Sequence, residues 1–210
     1  MRLFDIFLLI TLLNTLFLTL EAPSASKRPS DTPHADLIDV SGILPTVIID
    51  MRYATPHNFV GRVLYKDKRA FLRKETIEAL KVVVAELENQ GFRLVILDAY
   101  RPPSVQRILY NSTDLKEFVA PPIPKYNRHG RGTAVDVTLA DMKGNLVEMP
   151  SEFDEFTERA DQDFSDVSPI AGKHGRILIS AFHKAGFSGL RKEWWHFDLR
   201  NWRKFDVIED

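Results

Sequence analysis

Three short stretches of this 210-residue chain concentrate side chains able to bind metals, move protons or hold anions. The first runs Arg128-His129-Gly130-Arg131-Gly132-Thr133-Ala134-Val135-Asp136. The chain has no cysteine, so a metal here would need imidazole and carboxylate ligands. The two glycines between His129 and Asp136 would let the backbone turn tightly and approach an ion. The same pair also reads as a surface histidine and a strand aspartate capping a turn. The second stretch is Glu193-Trp194-Trp195-His196. On a strand, residues three apart point to opposite faces, so an inward Glu193–His196 pair needs a turn or bulge at the strand start. With one, His196 could ligate a metal and Glu193 take the proton of the water it activates. Without one, the tryptophans are core and both polar residues face water. The third is Asp98-Ala99-Tyr100-Arg101-Pro102. A guanidinium where a buried strand gives way to a loop could hydrogen-bond an oxyanion, or simply pair with Asp98 at the surface. His34, His57, His174 and His183 have no such neighbourhood. His174 and His183, nine apart on one predicted helix, fit no single-face ligand pair.

The elements that must position these residues follow from apolar periodicity. Ile77, Leu80, Val83, Val84 and Leu87 fall at helical spacing within Arg73–Asn89, with Gly91 as a stop. Arg93–Tyr100 reads as a buried strand ended by Pro102 and Pro103, with a short helix over Ser104–Tyr110. Residues 120–128 form a Pro-rich loop, and Thr133–Leu139 alternates as a strand. Ile170–Ala185 forms a second long helix stopped at Gly186, and Trp194–Leu199 a last strand. Helices and strands mix without regular βαβ alternation, which predicts an α+β fold.

The chain as a whole is balanced, with 28 Lys+Arg against 29 Asp+Glu. This gives no support to nucleic acid as a partner. Residues 1–25 place Arg2 before an apolar run from Ile6 to Leu20, followed by the small residues Ala22, Ser24 and Ala25. That run is short for a spanning helix and fits a secretory signal peptide, with an uncleaved anchor as the alternative. Its removal takes away Arg2, Asp5 and Glu21 and leaves as many cationic as anionic side chains. Residues 26–36 (SKRPSDTPHAD) read as a polar linker, so the domain should span 37–210. Without cysteines, no lipid anchor or disulfide is available. The expectation is an exported protein of a bacterial periplasm or envelope, with no stable membrane partner once the signal is cleaved.

Taken together and in order, DAYRP (98–102), HGRGTAVD (129–136) and EWWH (193–196) resemble the D-alanyl-D-alanine dipeptidases. These are the VanX-type zinc peptidases, related to D,D-carboxypeptidases and to the hedgehog signalling domain. The resemblance covers residues 40–205 and includes Met51-Arg52-Tyr53-Ala54-Thr55 and Asn58-Phe59-Val60-Gly61. It implies a single α+β domain with a small, mostly antiparallel central sheet flanked by helices. It further implies one zinc per chain held by His129, Asp136 and His196, with Glu193 as general base and then acid, and Arg101 stabilising the tetrahedral intermediate. Tyr53 matches a substrate-pocket tyrosine. Asp154, in Ser151-Glu152-Phe153-Asp154, matches the aspartate that receives the substrate's ammonium group. Family members commonly carry Ser two residues before the first metal His. Here that position is Asn127, a departure that bears on substrate preference. The substrate implied is a small dipeptide, and an exported member would meet it as a product of wall turnover. A D,D-carboxypeptidase acting on peptidoglycan stem peptides and a non-catalytic zinc-containing binding module are the alternatives. All three motif groups being present, with Glu193 and Arg101, argues against the last.

Overall fold

Helix α1 (Lys74–Glu88) buries Ile77, Leu80, Val83, Val84 and Leu87, the residues whose spacing predicts it. A computed structural model describes residues 34–210. The expected signal segment, and the linker as far as residue 33, lie outside the described residues. Ahead of α1 come the short strands β1 (Leu37–Asp39), β2 (Ile48–Ile49) and β3 (Phe71–Arg73). After it come β4 (Phe92–Asp98), α2 (Pro103–Asn111), β5 (Ala134–Asp141), α3 (Pro169–Lys184), β6 (Phe187–Leu190) and β7 (Glu193–Leu199). Pro169 opens α3 and the Ser168 hydroxyl caps it by accepting from the Ala171 amide, a common solution for the orphan donors of a helix start.

The strands form a five-stranded sheet in the order β2-β4-β5-β7-β6, with β1 and β3 as a separate antiparallel pair. Within the main sheet only β2–β4 is parallel. The expected mostly antiparallel α+β architecture is thus observed. The sheet alternates as a two-faced strand should. Leu94 and Ile96 of β4 and Val135, Val137 and Leu139 of β5 join the main core with the buried residues of α1 and α3. The alternate residues Val95, Leu97 and Ala140 belong to a second cluster under Ile48 and Phe153. The two long helices therefore cover one face, while Asp136 and Thr138 point to the other; Asp136 lines a cavity there to which the short helix α2 contributes Gln106 and Leu109 beside loop residues. Among the described residues, no helix is long and apolar enough to cross a membrane.

Two irregularities in the ladder aim side chains. Between β4 and β5 the register shifts between Ile96 and Asp98, so that Asp98 comes opposite Asp136. Between β6 and β7, Gly189 pairs with Phe197 but Leu190 pairs with Glu193. This second irregularity is the break that an inward Glu193–His196 pair requires.

Candidate active site

The loop before β5 ends in a turn, His129–Arg131, closed by Gly132 in the left-handed conformation at φ 68°. A β-carbon at Gly132 would lie 2.7 Å from Leu37 Cδ2, and one at Gly130 would lie 2.4 Å from the Asn127 amide nitrogen. The glycines thus serve the turn and its packing. The Asn127 side chain accepts from the Gly130 amide at 2.9 Å and caps that turn. Its neighbours are turn residues, and it does not line the cavity described below. The turn is further tied by Gly132 O, which accepts from Arg73 N at 3.0 Å and from the Thr76 hydroxyl at 3.0 Å.

This turn, the start of β5 and the irregular start of β7 bring three ligand atoms together. Asp136 and His196 are direct cross-strand partners. His196 Nδ1 lies 2.8 Å from Asp136 Oδ1 and 3.2 Å from His129 Nε2, which is itself 3.4 Å from Asp136 Oδ1. Zinc binds imidazole nitrogen and carboxylate oxygen at roughly 2.0–2.1 Å, which corresponds to a tetrahedron edge of about 3.3 Å. The triangle has that size, and its two imidazoles and one carboxylate could hold such an ion.

The ring orientations suit the same ion. His129 Nδ1–H donates to Ala99 O at 2.7 Å, which leaves Nε2 as the free lone pair. His196 Nε2–H donates to Asp198 Oδ1 at 3.0 Å, which leaves Nδ1. Arg128 in turn holds Asp198 at 3.0 Å. A carboxylate or carbonyl behind each metal-facing imidazole fixes its tautomer and strengthens it as a ligand.

The charge balance points the same way. Asp98, Asp136 and Asp198 are buried, and Asp154 and Glu193 are half-buried, around only two guanidinium groups, Arg101 and Arg128. Burial opposes a charge on His196, but Asp198 and Asp136 outweigh it and push the imidazole up to about 10. Burial likewise opposes ionisation of Asp136, yet His129 and His196 hold it well below the usual carboxylate range. A centre that draws positive charge this strongly suits a divalent cation in place of the proton.

Glu193 stands beside the triangle, with Oε2 3.9 Å from His196 Nδ1. Burial pushes its carboxyl up to about 7, with His196 pulling it down and Asp136 pushing it further up. Gln162 steadies the irregular strand start by donating from Nε2 to Glu193 O at 3.2 Å.

Arg101 does pair with Asp98, as one reading of the sequence has it, but in the interior rather than at the surface. Its Nε donates to Asp98 at 2.8 Å, Nη1 to Gln106 at 2.8 Å and Nη2 to Asp136 at 3.3 Å. The guanidinium carries five N–H groups, and Nη2 also lies 2.6 Å from Asp98, so one Nη1–H remains for the cavity it lines. Tyr65 completes the support by donating to Asp98 at 2.8 Å. Tyr53 donates to Asp154 Oδ2 at 2.9 Å and lies under the Arg101 guanidinium. Asp154 has φ 60°, a conformation that Asp tolerates better than most residues. Burial, then the charge of Asp136, raises its carboxyl well above the usual range.

Tyr53, Arg101, His129, Asp136, Asp154, Glu193 and His196 line one small cavity of about 60 Å³. His174 instead donates to Glu148 O and packs edge-on against Phe92, as a structural histidine does. Sequence reasoning missed Asp198, Arg128, Tyr65 and Gln106. Asp198 carried a signal, since residues two apart on a strand share a face. Tyr65 and Gln106 carried none.

The family model described as D-Ala-D-Ala dipeptidase, of the M15 peptidases, matches residues 33–206. The D-alanyl-D-alanine dipeptidase of Escherichia coli K12 is 34% identical over 181 residues, which cover 86% of this chain and 92% of that protein. The D-alanyl-D-alanine dipeptidase of Enterococcus faecium is 29% identical over 172 residues, covering 72% and 85%. Among solved structures, the LdcB LD-carboxypeptidase is similar with a TM-score of 0.46 at 17% identity, covering 87% of this chain and 83% of that one.

Proposed function

Because the chain belongs to the D-Ala-D-Ala dipeptidase family of M15 peptidases, we propose that it hydrolyses the D-alanyl-D-alanine dipeptide to two D-alanines with one zinc ion held by His129, Asp136 and His196. The observation that carries this reading is the convergence of those three ligand atoms with Glu193, Arg101 and Asp154 around one small cavity. When bound, zinc supplies Lewis acidity, polarising a carbonyl and acidifying water.

The chain's own residues supply the rest. Glu193 is the base: its carboxylate takes a proton from the attacking water and passes it to the amide nitrogen as the C–N bond breaks. The hydroxyl oxygen ends on the new carboxylate and the proton on the released amine. A carboxyl pushed up to about 7 by burial is suited to both halves of that transfer. Arg101, held by Asp98 and Gln106, donates to the carbonyl oxygen as it gains charge. Asp154, oriented by the Tyr53 hydroxyl, takes the substrate's ammonium group. A wrong ligand without that ammonium leaves Asp154 with Tyr53 as its partner but no cation, and this favours the correct substrate.

The test is release of D-alanine from D-Ala-D-Ala by the zinc-loaded protein. Wild-type protein is expected to turn over, and Glu193→Gln to lose about 10²–10⁴-fold in kcat while still binding zinc. Cleavage of long D-Ala-D-Ala-terminated peptides in preference to the dipeptide would instead indicate a carboxypeptidase. We further propose that residues 1–25 direct export, so that the substrate is dipeptide released in wall turnover. A reporter fused to those residues that stays in the cytoplasm would remove that part.

A further inference from the structure

The small catalytic cavity is separated from a much larger surface groove of about 700 Å³ by two side chains, Phe118 and Phe156, which line both. Their rings stack, with centroids 5.2 Å apart and planes within 16°. Phe59 packs edge-on against Phe156 at 5.1 Å, and Lys192 Nζ lies 5.2 Å from the Phe118 ring centroid. Three loops and the turn between β6 and β7 thus meet in one aromatic partition. Such contacts are individually modest but geometrically specific.

The partition stands at a defined end of the substrate. Phe156 follows two residues after Asp154, and both line the small cavity. If Asp154 holds the ammonium group, as the proposed function has it, any residue added to the amino end of the dipeptide runs into Phe156 and Phe118. We propose that this aromatic pair is the length filter of the enzyme, and that the groove behind it is a latent subsite for an amino-terminal extension. The groove carries Glu117, Glu158, Asp161, Asp163 and Asp166 against Arg191 and Lys192. An opened partition therefore favours a basic residue in the extension over an acidic one.

The inference rests on the dipeptidase reading, and its test separates the two. Hydrolysis of D-Ala-D-Ala, L-Lys-D-Ala-D-Ala and L-Glu-D-Ala-D-Ala is compared for wild-type protein, Phe118→Ala and Phe156→Ala, each with zinc. Wild-type protein is expected to cleave the dipeptide and neither tripeptide. Each variant should raise the ratio of L-Lys tripeptide to dipeptide kcat/KM at least tenfold, with the L-Glu tripeptide gaining less. Because a truncated ring can loosen its loop, a second measurement uses the conservative Phe156→Leu. Zinc-loaded Glu193→Gln should bind L-Lys-D-Ala-D-Ala in calorimetry only when Phe156→Leu is also present. Dipeptide cleavage with unchanged ratios in folded variants, or wild-type cleavage of the L-Lys tripeptide as fast as the dipeptide, overturns the filter and leaves the dipeptidase standing. A wild-type protein that does not cleave D-Ala-D-Ala removes the dipeptidase reading and the filter with it.

Discussion

Asp198 gives His196 its direction: with Nε2–H committed to this carboxylate, only Nδ1 faces Asp136 and His129. Asp198→Asn should keep the fold and weaken zinc about 10–100-fold, measured by competition with a chromophoric chelator. Unchanged affinity would show that the ring is held without it. Asp154 predicts a trade between stability and function. Its carboxyl is raised by burial, so the folded protein holds a proton that the unfolded chain has released. Stability is therefore lost as pH rises from the unfolded carboxylate pKa through the folded one, and stays lower above it. Asp154→Asn removes that cost, tolerates the positive φ and leaves an acceptor for Tyr53. It should raise Tm by a few degrees at neutral pH and raise the KM for D-Ala-D-Ala by more than tenfold. A lower Tm with an unchanged KM would contradict both roles. The residue types alone left His129, Asp136, His196 and Glu193 open between a site and a turn or surface role; it was the ordered set DAYRP, HGRGTAVD and EWWH, through its family resemblance, that singled them out. Their support was not legible, because Tyr65 and Gln106 reach Asp98 and Arg101 from separate segments.

At the scale of elements, the site depends on breaks in regular structure rather than on the regular structure itself. The turn through Gly132 aims His129, the shift before Asp98 sets it opposite Asp136, and the irregular start of β7 turns Glu193 toward His196. Gly132→Ala puts a β-carbon into Leu37 at a positive φ. The backbone conformation alone costs about 1–2 kcal/mol, or roughly 2–8 °C for a domain of this size. The thermal melt should fall by at least that much, with weaker zinc binding because His129 moves; a melt within a degree of wild type would contradict this account of the turn. Both long helices were legible to within a residue or two, since a helix writes its burial into its own periodicity. So were β4, β5 and β7, which are apolar enough to be read alone. Strands β1, β2, β3 and β6 were not, being two to four residues long and defined by distant partners such as the β1–β3 pairing. Short strands take their state from neighbours more than from their own propensity.

Across the whole molecule, a formal charge of −1 hides a local excess of buried carboxylates around the site. A divalent cation held by His129, Asp136 and His196 would offset that repulsion and tie the turn before β5 to β5 and β7. Metal binding should therefore stabilise the entire domain: free zinc at about a thousandfold above its Kd contributes about 4 kcal/mol, and chelator-stripped protein should melt correspondingly lower. The most direct test of the central claim is to strip the full chain of metal, add back zinc in fractional equivalents and follow D-alanine release from D-Ala-D-Ala. Activity absent at the start, rising in proportion to zinc and levelling at one equivalent per chain, with no such rise in His196→Ala, is the predicted result. Full activity in the stripped protein, or a rise that His196→Ala shares, would contradict the assignment of the His129, Asp136 and His196 triangle as the catalytic zinc centre.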